Sequence, residues 1–340
     1  MFFRFTSEVT GLAAHLGKGN ALEFCFDRPR VVSVRLSKSY PDGVKPLVPA
    51  DAVCTSTTTA DPPDAKIAAE LKAGWAVPVV EGKFKEDDTT LQFVDNVLAD
   101  LRALMMSTVR LFRWRHGIAE GPPDPCHTLK ACYSEDGKVW REVLLVRSIK
   151  IRFGMSYWST LDDDICKQVV ELATAGMEEP LGRQLFREAW SQKDSRPRSA
   201  LVIGVAAAEV GFKKLVGTLV PGAQWLVDEV QTPSLSKMLS KFLPTLPVKA
   251  RLVGKSIRPP RALLSQLEKA VERRNKLVHG GEPPPTWDEL DEMLRAVNDF
   301  LWICDVYQGH VWAVKNISVE ILNAWKGDDT KRPQSRVPHP

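Results

Sequence analysis

Arg261–His279 (RALLSQLEKAVERRNKLVH), followed at once by Gly280-Gly281, is the stretch that decides how the second half of this chain is read. Leu263, Leu264, Leu267, Ala270, Val271, Leu277 and Val278 recur at the helical period. At 100° per residue they form one stripe roughly 140° wide. Nothing in the stretch alternates with period two, so it predicts an amphipathic helix that packs against other helices. Gly280-Gly281 and then Pro283-Pro284-Pro285 end it, which puts His279 in the last turn.

The same periodicity extends in both directions. Helices are predicted at Asp162–Ala175, Pro180–Ser191, Arg198–Thr218, Ser234–Leu243, Pro260–His279, Trp287–Tyr307 and Val311–Trp325. Thr286 with Glu289 three residues on forms a capping box that sets the start of the helix at Trp287. Before about Tyr157 the pattern differs. β-rich runs occur at Phe2–Thr6, Leu22–Phe26, Val31–Leu36 and Val143–Phe153, with one long helix from about Leu91 to His116. Pro and Gly clusters at Pro41–Pro46, Pro62-Pro63 and Gly121–Pro125 read as loops. The expected fold is therefore α+β, with a mixed α/β N-terminal domain over residues 1–157 and an all-α bundle over 158–325. Residues 326–340 read as a polar, disordered tail.

Forty-six Lys and Arg against 42 Asp and Glu leave a net charge of +4, too small to name a partner by itself. The six cysteines have no paired spacing, which argues against a disulfide framework and fits a reducing cytoplasm. No basic-then-apolar leader opens the chain, and the most apolar run, Ala200 to Ala208, stops at Glu209. A bilayer span needs about 20 apolar residues, so a soluble, cytoplasmic protein without a membrane partner is expected.

Polar chemistry gathers on the helix quoted first. Arg274 falls near the middle of the apolar stripe, where a guanidinium must be paired or face a cleft. Arg273 lies about 100° away and reads as an ordinary surface arginine. Asn275 and His279 share a face beside the stripe. At the helix C-terminus the dipole favours an imidazolium, by roughly 0.3–1 kcal/mol. The bland readings are a dipole-capping His and an Arg that snorkels or pairs with a core carboxylate. Glu209 interrupts an apolar helix and needs a partner. Lys213, at i+4, is the local choice, and Arg274 or His279 is the distant one.

Arg274-Asn275-Lys276-Leu277-Val278-His279 resembles the R-x4-6-H signature of HEPN domains, in the form with Asn after the Arg. An apolar helix with an internal acid precedes it and an amphipathic helix follows it, as in that family. The resemblance covers about residues 180–325. It implies a helical bundle that dimerises, and a metal-independent endoribonuclease of the abortive-infection or toxin type, with a role in antiviral defence. The RNA 2′-hydroxyl would be the internal nucleophile. His279 would move protons, Arg274 would stabilise charge on the phosphoryl oxygens, and Asn275 would orient the site, with Glu209 behind them. No cofactor and no metal are implied. The family also contains bundles without nuclease activity that serve as dimerisation or nucleotide-binding modules. The N-terminal domain would then be a sensor or regulator, or would carry the main function itself.

Between Val230 and Leu267 there is no Asp or Glu, whereas Lys237, Lys241, Lys249, Arg251, Lys255, Arg258 and Arg261 all fall there. Lys249, Arg251, Lys255, Arg258 and Arg261 are the candidate RNA-binding set, and a solvated connection is the alternative. Cys126-His127 and Cys132 lack a second pair at zinc-finger spacing. Arg110, Arg113, Arg115 and His116 read as dipole-favoured cations at a helix end, and Asp162-Asp163-Asp164 as acids at a helix start. The chain has no Walker A loop, Rossmann fingerprint, Gly-x-Ser-x-Gly elbow or His-Glu-x-x-His motif, which argues against the common NTPases, dehydrogenases, hydrolases and zincins.

Overall fold

The central strand of the N-terminal half has the sequence FFRFTSEV, and its alternation places Phe3 and Phe5 on one face and Phe2, Arg4 and Thr6 on the other. In the computed structural model this strand, β1 (Phe2–Val9), lies inside a six-stranded sheet. The structure describes residues 1–9, 13–15, 21–26, 31–37, 52–76, 79–80, 83–84, 88–118, 126–143, 158–160, 163–223, 229, 235–252 and 258–330. The other strands are β2 (Ala13–His15), β3 (Ala21–Phe26), β4 (Val32–Ser37), β5 (Ala52–Thr59), β6 (Val79–Val80), β7 (Lys83–Phe84), β8 (Cys126–Ser134), β9 (Arg141–Val143) and β10 (Trp158–Thr160). The large sheet runs in the order β3-β4-β5-β1-β8-β9 and is antiparallel throughout. β2 pairs with β10 in parallel, and β6 with β7 as a small antiparallel ribbon.

Helices α1 (Ala65–Ala73), α2 (Thr89–Arg115) and α3 (Asp163–Thr174) complete this unit. Asp64 and Asp88 cap α1 and α2 by accepting from Ile67 N and Leu91 N. The apolar face of α2 (Leu91, Val94, Val97, Leu98, Leu101, Met105) is buried, and Phe93 meets Phe3 edge to face at 5.8 Å. On the opposite face of the sheet Arg4 lies over Trp140, 4.1 Å from the ring centre, and burial pushes the neighbouring Cys132 thiol up. Arg113 and Arg115, read from the sequence as helix-end cations, are buried, and Arg115 Nε donates to Gln168 Oε1 of α3 at 2.9 Å.

The second unit is helical: α4 (Leu181–Gln192), α5 (Pro197–Leu219), α6 (Arg261–His279), α7 (Trp287–Tyr307) and α8 (Val319–Thr330). The capping box at Thr286 and Glu289 forms as the sequence predicts. α5 is the hub, packed on α4, α6 and α7. Gly204 and Gly211 let it approach α7 so closely that a Cβ at either would strike Leu294 or Leu301. Phe212 and Phe300 stack at 6.4 Å in this core.

The architecture is α+β. The expected helix at Ser234–Leu243 is a short turn, Leu235–Lys237, that widens into a π-helical turn at Met238–Phe242. The expected helix at Val311–Trp325 divides into a 3₁₀ segment, Val311–Asn316, and α8. The compact units divide between Glu179 and Pro180 rather than near residue 157, because α3 packs on α2 and β3 and so belongs with the sheet. α8 runs to Thr330, into the segment expected as a tail, and residues 331–340 lie outside the described residues. Only the start of the Val143–Phe153 run is seen, as the end of β9. Residues 144–153 lie outside the described residues, as do Pro41–Pro46, Gly121–Pro125 and Asp162. No described helix is long and apolar enough to cross a membrane.

Candidate functional site

α6 begins after Pro260, which needs no N–H partner there, and its apolar stripe buries Leu263, Leu267, Ala270 and Leu277. Arg274 lies on that stripe, as its helical angle requires. It is resolved in the way the charge demands: Arg274 Nη2 donates to Glu209 Oε1 of α5 at 2.7 Å. The two side chains are 25% and 26% exposed, so the pair lies at the edge of the core rather than inside it. Glu209 therefore reaches across to α6, the distant alternative, where the local i+4 choice was Lys213. One of the five guanidinium donors is used in this bond, and Arg274 Nε is buried without a hydrogen-bond partner among the described residues. That Nε is shut off from solvent, so an external acceptor can meet this guanidinium only at the Nη hydrogens that Glu209 leaves unused.

Asn275, Lys276, Val278 and His279 are exposed along the last turns of α6, and Leu277 is the buried residue there. His279 is the last helical residue. Gly280 closes the helix by donating to Lys276 O at 2.7 Å. A Cβ at Gly280 would come within 2.8 Å of that same carbonyl, and Gly281 turns the chain in the left-handed region at φ +67°. The chain then doubles back. Arg273 forms an ion pair with Glu282 and donates from Nη2 to Pro283 O at 3.1 Å, while Arg198 at the start of α5 reaches Glu282 O at 3.5 Å. Arg273, read from the sequence as a surface arginine, is thus engaged twice. The signal for it was an acid placed just past a double-glycine turn.

The structure does not gather the basic candidates around Arg274. Arg261 opens α6 and is thirteen residues from Arg274 and eighteen from His279. At 1.5 Å of rise per residue these separations are roughly 20 and 27 Å. Arg258 is exposed and donates from Nη2 to Ser240 O at 2.9 Å. Lys249 and Arg251 are exposed beside the C-terminal end of α7, where Lys249 N donates to Tyr307 O at 2.9 Å. Lys255 lies outside the described residues. A single phosphodiester at Arg274 therefore cannot touch Arg261, and the two places can share only an extended strand.

The described residues contain no group of three or more His, Cys, Asp and Glu side chains arranged to hold a metal ion. Cys132 is buried beside Arg4, and the side chains of Cys126, His127, Asp163 and Asp164 lie outside the described residues. What the site offers is a partly exposed guanidinium with an acid behind it, an amide, and an exposed imidazole at a helix end. No family model, no curated protein and no solved structure matches this chain.

Proposed function

We propose that the helical unit is a HEPN-type, metal-independent endoribonuclease, acting in the cytoplasm in a toxin or antiviral-defence role. The observation that carries the reading is Arg274, a quarter exposed and backed by Glu209, on the same helix as Asn275 and His279. The carboxylate behind the guanidinium restricts its rotamers, and the remaining donors can meet two phosphoryl oxygens at once. In the reaction the RNA 2′-oxygen attacks the adjacent phosphorus as its proton passes to a base. The bond from phosphorus to the 5′-oxygen breaks as that oxygen takes a proton from an acid. The products are a 2′,3′-cyclic phosphate and a 5′-hydroxyl. His279 suits either proton role, because an imidazole nitrogen can accept a proton and give one up, and Arg274 suits the charge that grows on the phosphoryl oxygens.

One His279 per chain supplies one base or one acid. A homodimer that brings two α6 ends together supplies both. Val278 supports that assembly: it is 53% exposed, on α6 one turn from Arg274, and an apolar residue so placed gains by being covered. The exposed basic residues at the start of α6 and beside the end of α7 would hold RNA away from the scissile bond.

The second reading is a non-catalytic dimerisation or nucleotide-binding module. It is favoured by the fact that Arg274 already has a carboxylate partner. The experiment that separates the two is RNA cleavage by the full chain in excess EDTA, comparing wild type with Arg274→Ala and His279→Ala after folding and oligomeric state are matched. The nuclease reading expects cyclic-phosphate ends from wild type and a loss of about 100-fold or more in each variant. Equal rates in all three remove these residues from the chemistry. A wild-type dimer that is silent on every RNA supports the module.

A further inference from the structure

The last turn of α6 has little to hold it. Lys276, Val278, His279 and Gly280 are exposed, and Leu277 is its buried anchor. The final carbonyls of any helix lack intrahelical partners, so an exposed last turn frays unless something outside the helix ties it down. Three contacts do so here, and all converge on the chain just after the turn. Arg273 grips the Glu282 carboxylate and the Pro283 carbonyl, and Arg198 reaches the Glu282 carbonyl from α5. Beyond them Pro283-Pro284-Pro285 is stiff, because each ring locks its φ, and Pro285 is buried. The segment from Gly280 to Pro285 is therefore pinned at both ends.

We infer that Arg273 and Glu282 form a brace that holds the last turn of α6 helical and so fixes the place of the His279 imidazole. The inference rests on the proposed nuclease site. Arg273 is a positioning residue and touches no substrate. The two neighbouring arginines divide the work. Arg274 points to α5 and is held by Glu209, whereas Arg273, about 100° round the helix, is held by the returning loop. With the brace open, Gly280 and Gly281 supply a two-residue hinge, and His279 samples positions in which its ring no longer meets the scissile phosphate.

The test uses the full chain and four forms: wild type, Arg273→Gln, Glu282→Gln and the swap Arg273→Glu with Glu282→Arg. Two quantities are measured in each: amide exchange over Lys276–Glu282 by mass spectrometry, and cleavage kinetics. Each single variant is expected to speed exchange in that peptide by about fivefold or more, with the rest of the helical unit unchanged. The same variants are expected to lower kcat by about tenfold while KM stays within about twofold, because a misplaced general acid or base is felt in the transition state and not in binding. The swap is expected to restore most of both. Exchange that stays at the wild-type rate overturns the brace, and faster exchange with an unchanged kcat overturns its role in placing His279. If wild type cleaves nothing, the nuclease reading fails, and the exchange rates still decide whether the brace exists.

Discussion

Two arginines of the helical unit are buried to different degrees and are satisfied very differently. Arg183 of α4 is enclosed. Nε and Nη2 both donate to Asp305 Oδ2, at 3.1 and 3.0 Å, Nη1 donates to Asn298 Oδ1 at 3.0 Å, and the guanidinium carbon lies 3.3 Å from the centre of the Trp302 ring. The side chains of that ion pair are 5% and 3% exposed. Arg274 has one bond to one carboxylate, is a quarter exposed, and leaves Nε unsatisfied. An arginine whose three nitrogens all have partners, over an aromatic face and closed off from solvent, does structural work. One that is held by a single bond and stays partly exposed is the kind that the proposed phosphate contact needs. Both would look alike in a sequence, as an arginine on an apolar helix face.

The largest effect that can break this contrast is on stability. Arg183→Ala takes its guanidinium partner from the buried Asp305 carboxylate, and is expected to cost about 3–5 kcal/mol in urea unfolding. Replacing both partners with apolar residues, Arg183→Met with Asp305→Leu, is expected to recover most of that loss, because the desolvation of both charges disappears with them. Arg274→Ala is expected to cost about 1 kcal/mol, as befits a pair at the edge of the core. If the two alanine variants destabilise equally, Arg274 is a core fixture like Arg183 and the catalytic reading loses its support.

The smallest effect concerns pH. Burial holds the His310 imidazole below its usual value, the Asp305 charge opposes that shift, and the Lys249 charge adds to it. A base with a lowered folded value is protonated first in the unfolded chain. Stability is therefore full above about 6.5 and falls as the pH drops below it. His310→Gln is expected to flatten the unfolding curve between about pH 7 and pH 5. It should leave kcat unaffected, because His310 lies beyond the end of α7 opposite the loop that follows His279. A slope that persists in this variant assigns the acid sensitivity elsewhere.

Much of the architecture was legible without coordinates. The limits of α2, α4, α5, α6 and α7 fall within a residue or two of their periodic patterns, since an amphipathic stripe and a local cap are properties of neighbouring residues. Strands β5 and β8 were not read. β5, AVCTSTTT, is nearly all hydroxyl and small residues, and its Ser56 and Thr58 lie beside Phe5 and Phe3 on the face that α2 covers, with no apolar alternation of their own to announce it. Strand pairing is a long-range fact: β1 meets Thr59 to Ala52 on one side and Ser134 to Cys126 on the other.

By itself, the sequence determined that Arg274, Asn275 and His279 lie on one helix that ends at Gly280, because helical spacing and a glycine stop are local chemistry. The tertiary structure decided what each of them faces. It gave Arg274 to Glu209, 65 positions away along the chain, turned Arg273 to Glu282 and placed α3 with the sheet. A helical angle names the direction in which a side chain leaves its helix. The partner waiting in that direction belongs to another segment, and only packing brings the two together.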